Sequence, residues 1–401
     1  MRIAVIAILV SFIAGGFTAL VLKAMLWITD LVWQHEIAAS PLYIFGACIV
    51  GGFLIGLTRT GSNHVQTLNE QIDAASEPLK EQQRTILMTA LGAAIAVGFG
   101  GALGPEAGLI AAITEISVLV SMILARSAAE AQTIGRASVS AALAGLYASP
   151  PGGFAYSVED EGKSGWARAA EASIPYLGFI AAVAGFVGFK LAANLLFEGG
   201  FHRIHLPHYQ SPGDGSDLLQ AVFPAIFGAL LGAFFLHARV FVTRQVETRI
   251  AHPVIQSTLG GILFGGVAAM LPFVRFSGHH EFESMLELGA EASVLALLGI
   301  AVVKMVATVL CLSTGWRGGA IFPLIFAGGA AGLAAHHMQG GQDLPVAVSA
   351  GLAAATAAGL GKPVASLLVL VFLVGADTLP SICIGVAFGL VAAKFSPKAG
   401  H

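Results

Sequence analysis

Charge is what this sequence has least of. Its 401 residues include only 20 basic and 23 acidic side chains, so 11% of the chain is charged, where a soluble globular domain carries about a quarter. A chain so poor in charge cannot clothe a water-facing surface, which excludes a cytosolic enzyme and a disordered protein alike. The net charge of −3 offers no basic face for phosphates, so nucleic acid is excluded as a partner. Three cysteines, Cys48, Cys311 and Cys383, stand far apart in apolar runs without CxxC spacing. They build neither a disulfide framework nor a zinc site. No HxxxH or HxxE lies on an apolar run, and His202, His205, His208, His252, His279 and His280 read as surface groups, so no metal is expected. GxSxG and HExxH are also missing, which disfavours an intramembrane hydrolase and any enzyme of the familiar hydrolytic kinds. No cofactor is implied.

What the sequence has in abundance is apolar length. Hydrophobic residues make up 56% of it, and 50 glycines punctuate them. A helix needs roughly 20 apolar residues to cross a hydrocarbon core. Candidate runs are 3–29, 41–58, 86–103, 107–125, 132–147, 166–197, 217–238, 254–275, 292–313, 318–336, 344–360 and 364–394, the last long enough for two segments. The first has no small-residue cleavage site and is read as a retained helix. The expectation is an all-α polytopic membrane protein: one transmembrane domain over 1–401, with halves 1–198 and 217–395 joined by a polar linker 199–216, and no regulatory domain. Arg59, Lys80 and Arg84 in the polar stretch 59–85 balance Arg239, Arg244 and Arg249, so loop charge does not orient the chain.

Several runs are broken by Gly and Pro where a simple span would continue. Irregular backbone at membrane depth persists only where it is buried in protein or lines a cavity. Two breaks read alike: Gly100-Gly101-Ala102-Leu103-Gly104-Pro105, and Gly318-Gly319-Ala320-Ile321-Phe322-Pro323, 218 residues on. Ala144-Gly145-Leu146 with Pro150 recurs as Ala358-Gly359-Leu360 with Pro363, at offsets of 214 and 213. The common order points to a duplicated half of roughly 200 residues, the inverted-repeat plan by which many transporters place a site at the midplane. A glycine pair followed by Pro is a helix start. The first N–H groups there are unpaired and the peptide dipoles sum to about half a positive charge, so such an end attracts anions. Thr60-Gly61-Ser62-Asn63 offers a third start, with the Ser62 hydroxyl as an added donor.

A charge in the middle of an apolar run costs on the order of 2.5–3.5 kcal/mol even on the gentle insertion scale. Glu106, directly after Pro105, is the sharpest case. A carboxylate at a helix N-terminus is electrostatically at home; a free anion competing for the same N–H groups displaces it, and once protonated it no longer competes. Glu106 is therefore a candidate gate and proton carrier, with a plain helix cap as the bland alternative. Glu115, nine residues on, has no assigned role. Glu159, Asp160 and Glu161 read by themselves as a solvated helix end. Lys304 and Arg317 flank the run that leads into Gly318; one of them is a candidate counter-charge, but reaching the membrane interface is the commoner fate.

With these residues in place, a family resemblance follows. Gly100 to Gly108 is similar to the glycine-rich segment with gating glutamate of the CLC family of chloride channels and proton/chloride antiporters. Ser313 to Pro323 resembles that family's second anion-binding motif, Gly61-Ser62-Asn63-His64-Val65 resembles the first more faintly, and Ala144 through Asp160 resembles the helix pair ending in the acids of the proton route. The resemblance covers about residues 40 to 395 and points to a short, divergent bacterial ion-channel branch. It implies Glu106 as gate, Ser62 as hydroxyl ligand of the central anion, and a cradle of backbone amides at Gly319, Ala320, Ile321 and Phe322. Ala107 and Gly108 would serve the outer site, and Asp160, with Glu159 just before it, the inner proton transfer. It further implies a homodimer with two pores in a bacterial inner or plasma membrane.

The sequence also departs from that pattern. Pro105 stands where the family has Arg, Asn63 and Val65 replace the Gly and Pro of the first motif, and Ile321 sits where Phe is usual. The family's inner tyrosine belongs to a last helix beyond residue 395, and Tyr43, Tyr147, Tyr156, Tyr176 and Tyr209 all lie in the first half or just past its end. The expectation is that the central ion loses a donor. The leading reading is transport of chloride or a similar small anion, coupled to protons through Glu106. A passive anion channel and a fluoride-selective transporter are the near alternatives. A cation transporter is the distant one, since helix starts repel cations.

Overall fold

The computed structural model of the protein describes residues 2–60, 82–159, 175–197, 204–340 and 343–397. Among them the regular structure is helical throughout. Seven helices come first: α1 (Arg2–Trp33), α2 (Pro41–Thr58), α3 (Gln82–Gly98), α4 (Glu106–Leu124), α5 (Ala128–Leu146), α6 (Pro150–Val158) and α7 (Pro175–Leu196). Eight follow: α8 (Ser216–Arg249), α9 (Pro253–Met270), α10 (Phe282–Gly289), α11 (Val294–Ser313), α12 (Ile321–Gln339), α13 (Leu344–Leu360), α14 (Pro363–Val374) and α15 (Leu379–Phe395). Nine of the described segments are long and apolar enough to cross a membrane.

With α10 set aside as an extra short helix, the second set repeats the first in order and length. The structure shows why through its contacts, because equivalent elements meet. α2 packs on α9, α6 packs on α14, and the segments leading into α4 and α12 pair with one another. Gly104 and Gly319 exchange both backbone hydrogen bonds, at 2.8 and 3.0 Å. That symmetric exchange is what a two-fold axis between repeats produces. The register is therefore Gly104 with Gly319, 215 positions apart, and not the 218-residue offset read from the two Gly-Gly pairs. The same corrected offset joins Gly100 to Gly315. Both glycines take left-handed backbone, φ 80° and 85°, and both end a helix with the same closing bond, Gly101 N–H to Ala96 O and Trp316 N–H to Cys311 O. A side chain is strained in that conformation, so glycine is the residue that lets α3 and α11 stop in mid-membrane.

α12 and α13 are buried along nearly their whole length and form the centre of the molecule. Glycine makes this possible: Gly328 and Gly332 of α12 lie against Leu352, Ala347 and Val348 of α13 so closely that a Cβ would collide with its neighbours. Outer helices leave large apolar side chains bare, among them Leu9, Leu31, Leu42 and Leu195, as a lipid-facing surface requires. The run 364–394 does divide in two, at Gly375 (φ 126°). α8 outruns its apolar stretch and continues helical through the charged residues up to Arg249. The linker is not wholly free: Ile204 donates its N–H to Leu373 O at 3.1 Å, and Ile204 and Tyr209 are buried.

Candidate functional site

The site grows out of the two breaks. After α3 closes at Gly100, the chain runs through Ala102 and Leu103, both buried, to the Gly104–Gly319 pairing. Pro105 then takes the N-cap position (φ −76°) and Glu106 opens α4. On the other side Ala320 is the N-cap and Ile321 opens α12. The N-termini of α4 and α12 are thus tied together at their entrances, with the unpaired first N–H groups and positive dipole ends of two helices brought to one place.

Glu106 lies at that place. It is 0% exposed. Its carboxylate is so close to Gly104 and Gly319 that a Cβ on either would overlap it. The backbone N–H groups of Phe322, Gly319 and Glu106 itself lie towards it, that of Gly319 already given to Gly104 O at 3.0 Å, and among the described residues neither carboxylate oxygen has a hydrogen-bond partner. This is not a plain cap, since Pro105 holds the cap position and Glu106 satisfies no N–H fully. A buried carboxylate with unpaired oxygens is costly to keep. Neither oxygen braces the fold through a hydrogen bond to a described residue.

Glu159 is the opposite case. The sequence reading of a solvated helix end fails for it: Glu159 is 4% exposed, at the C-terminal end of α6. It accepts from Val364 N–H at 3.0 Å and Ala365 N–H at 2.7 Å, capping α14 some 205 residues away. Lys362 donates to Tyr156 O at 3.0 Å beside it, and Ser149 caps α6 by accepting from Gly152 N–H at 3.0 Å. Asp160 and Ser62 lie outside the described residues. Gly108 donates its N–H to Pro105 O at 3.1 Å, so its donor is used within the first turn of α4. Gly319, Ile321 and Phe322 are buried and Ala320 half-buried around the carboxylate.

Two expectations about cations are overturned. Lys304 does not reach the interface: fully buried, it donates to the carbonyls of Val274, Arg275 and Phe276 at 3.2, 3.0 and 2.9 Å and holds that loop against α11. Arg317 is 3% exposed and donates to Thr89 Oγ1. Arg59 is no loop charge either; it is buried and bonds Ser257 Oγ and Gln256 Oε1, each at 2.9 Å. Among the described residues the one ion pair is Arg2 with Glu130, at the surface.

Sequence reasoning missed two neighbours of the site. Tyr147, at the C-terminal end of α5, is 0% exposed and within electrostatic reach of Glu106. Its ring lies 6.1 Å from that of Phe322. His279 is half-buried, with its ring 5.0 Å from Phe322, and so is not the surface group expected. Spacing gave no signal for His279. Tyr147 carried one, a tyrosine in the Ala144–Pro150 motif beside a helix break.

Fold and site together define a multi-pass membrane protein in which helices from two repeats start at one buried acid. The chain belongs to the family described as "Voltage gated chloride channel", whose model matches residues 69–394. Among known proteins it is similar to "Putative ion-transport protein YfeO" from Shigella flexneri, 25% identical, with 82% of this chain and 78% of the relative covered. The Salmonella paratyphi A protein of the same name is 27% identical, over 81% and 79%. Its fold is similar to that of a CLC-type fluoride/proton antiporter, with TM-score 0.78, 19% identity and 98% and 96% of the chains covered. It is also similar to that of a slow cyanobacterial Cl−/H+ antiporter, with TM-score 0.81, 16% identity and 98% and 95% covered.

Proposed function

We propose that the protein moves chloride or a similar small anion across a bacterial inner or plasma membrane, in exchange for protons, with Glu106 as the protonatable gate. The observation that carries this is the Glu106 carboxylate itself, buried at the start of α4 and α12 with neither oxygen hydrogen-bonded. Ionised, it fills the place that the N–H groups of α12 offer to an anion. Neutralised by a proton, it loses its attraction for the helix dipoles and leaves the place to the ion. One position thus serves two charges in turn, which links the movement of one to the other. Gly319, Ala320, Ile321 and Phe322 form the cradle, Ser62 adds a hydroxyl, Ala107 and Gly108 line the outer approach, and Asp160 passes the proton inward beside Glu159, which holds α14 in place. The working unit is a homodimer with a pore in each subunit.

The test is flux in reconstituted vesicles. An imposed chloride gradient moves protons against their own gradient in the wild type, and Glu106→Gln abolishes the proton movement while chloride still flows. Chloride flux without proton movement in the wild type makes the protein a passive channel and overturns the coupling. Currents that follow sodium or potassium and ignore the anion overturn the whole reading.

A further inference from the structure

Tyr147 closes α5 and is followed at once by Ala148, whose φ of 50° turns the chain into α6. Its ring is held between Tyr156, at 5.8 Å, and Phe322, at 6.1 Å. The fixing residue on one side, Phe322, is the same one whose backbone N–H faces the Glu106 carboxylate. Tyr147 is 0% exposed, and among the described residues its hydroxyl has no hydrogen-bond partner, not even that carboxylate. A buried tyrosine hydroxyl ordinarily finds a partner, since its polar end gains nothing from an apolar wall. Here a rigid ring packed on Phe322, within electrostatic reach of Glu106, holds a donor that goes unused while the acid is in position.

We propose that the Tyr147 hydroxyl is a direct ligand of the transported anion, donating its O–H to the ion that replaces the Glu106 carboxylate. This rests on the reading of Glu106 as displaceable. The acid is tethered to the first residue of α4, whereas a free ion settles where N–H and O–H donors converge on it. An O–H donor on a stiff aromatic ring has its strongest bond with a small, hard anion, so Tyr147 sets selectivity among halides as well as affinity.

The experiment is titration calorimetry with chloride and with fluoride salts on purified Glu106→Gln protein and on the Glu106→Gln/Tyr147→Phe double variant. Phenylalanine keeps the ring packing and removes only the hydroxyl, and melting temperature and elution volume check that the fold is kept. Losing a hydrogen bond to a charged group predicts affinity weaker by about tenfold or more, with fluoride hurt more than chloride. Equal affinities in the two proteins overturn the role of Tyr147 while leaving the gate reading intact. No binding by Glu106→Gln itself overturns both. Should the double variant not fold, Tyr147→Phe alone in vesicles decides: its fluoride-to-chloride flux ratio falls severalfold, and an unchanged ratio overturns the assignment.

Discussion

Glu106 and Glu159 are both buried, one opening α4 and the other, at the end of α6, facing the start of α14, yet the protein treats them in opposite ways. Glu159 gives each oxygen to an N–H of α14, Val364 and Ala365, and fastens the first half of the chain to the second. Glu106 gives neither oxygen a full bond. A carboxylate with two good bonds is part of the frame, and removing it leaves two buried donors unpaired. One with none is, on the proposed reading, an occupant whose removal opens a place for another anion. Burial alone does not tell these roles apart; the state of the two oxygens does.

The strongest way to break the contrast is Glu106→Gln, which takes proton movement in vesicles to background while anion flux persists. pH sharpens it further. Because the neutral acid releases the site, wild-type anion flux rises as pH falls, and the Glu106→Gln variant is flat over the same range. A wild-type flux that rises with pH contradicts the gate. Gly319→Ala is the next test: its Cβ falls on the Glu106 carboxylate, the mobile end of a side chain, and pushes it out. Uncoupled anion flux rises severalfold, and unchanged coupling in that variant contradicts the placement of the acid. Glu159→Ala acts on stability. Two buried N–H groups lose their acceptor, at a cost of about 1–3 kcal/mol each, read as a lower melting temperature in detergent. A variant that melts like wild type removes Glu159 from the frame.

Much of the frame was legible because it is local chemistry. Apolar runs, mid-run glycines and the Gly-Pro-Glu start follow from short-range rules of helix length, φ and capping, and they place Glu106 without reference to any other part of the chain. The offset between repeats came out three residues wrong because the eye matches Gly-Gly to Gly-Gly. The fold matches the glycine that turns, Gly100 with Gly315, and the glycine that pairs, Gly104 with Gly319. What stayed hidden is non-local. Glu159 looks solvated until α14 arrives from 205 residues downstream, and Lys304 looks like an interfacial lysine until the carbonyls of 274–276 surround it. The resemblance puts its tyrosine in a last helix beyond residue 395, so it gives no pointer to Tyr147, which ends α5 at a helix break of the first half.

The central claim is that an acid and an anion take turns at one place. Anomalous scattering from bromide-soaked crystals of the Glu106→Gln variant tests it most directly. The account predicts a bromide peak against Gly319 and beside the N–H of Phe322, where the wild-type carboxylate lies, and a weaker peak there in wild-type crystals. Bromide found elsewhere, or equally strong there in both proteins, contradicts it.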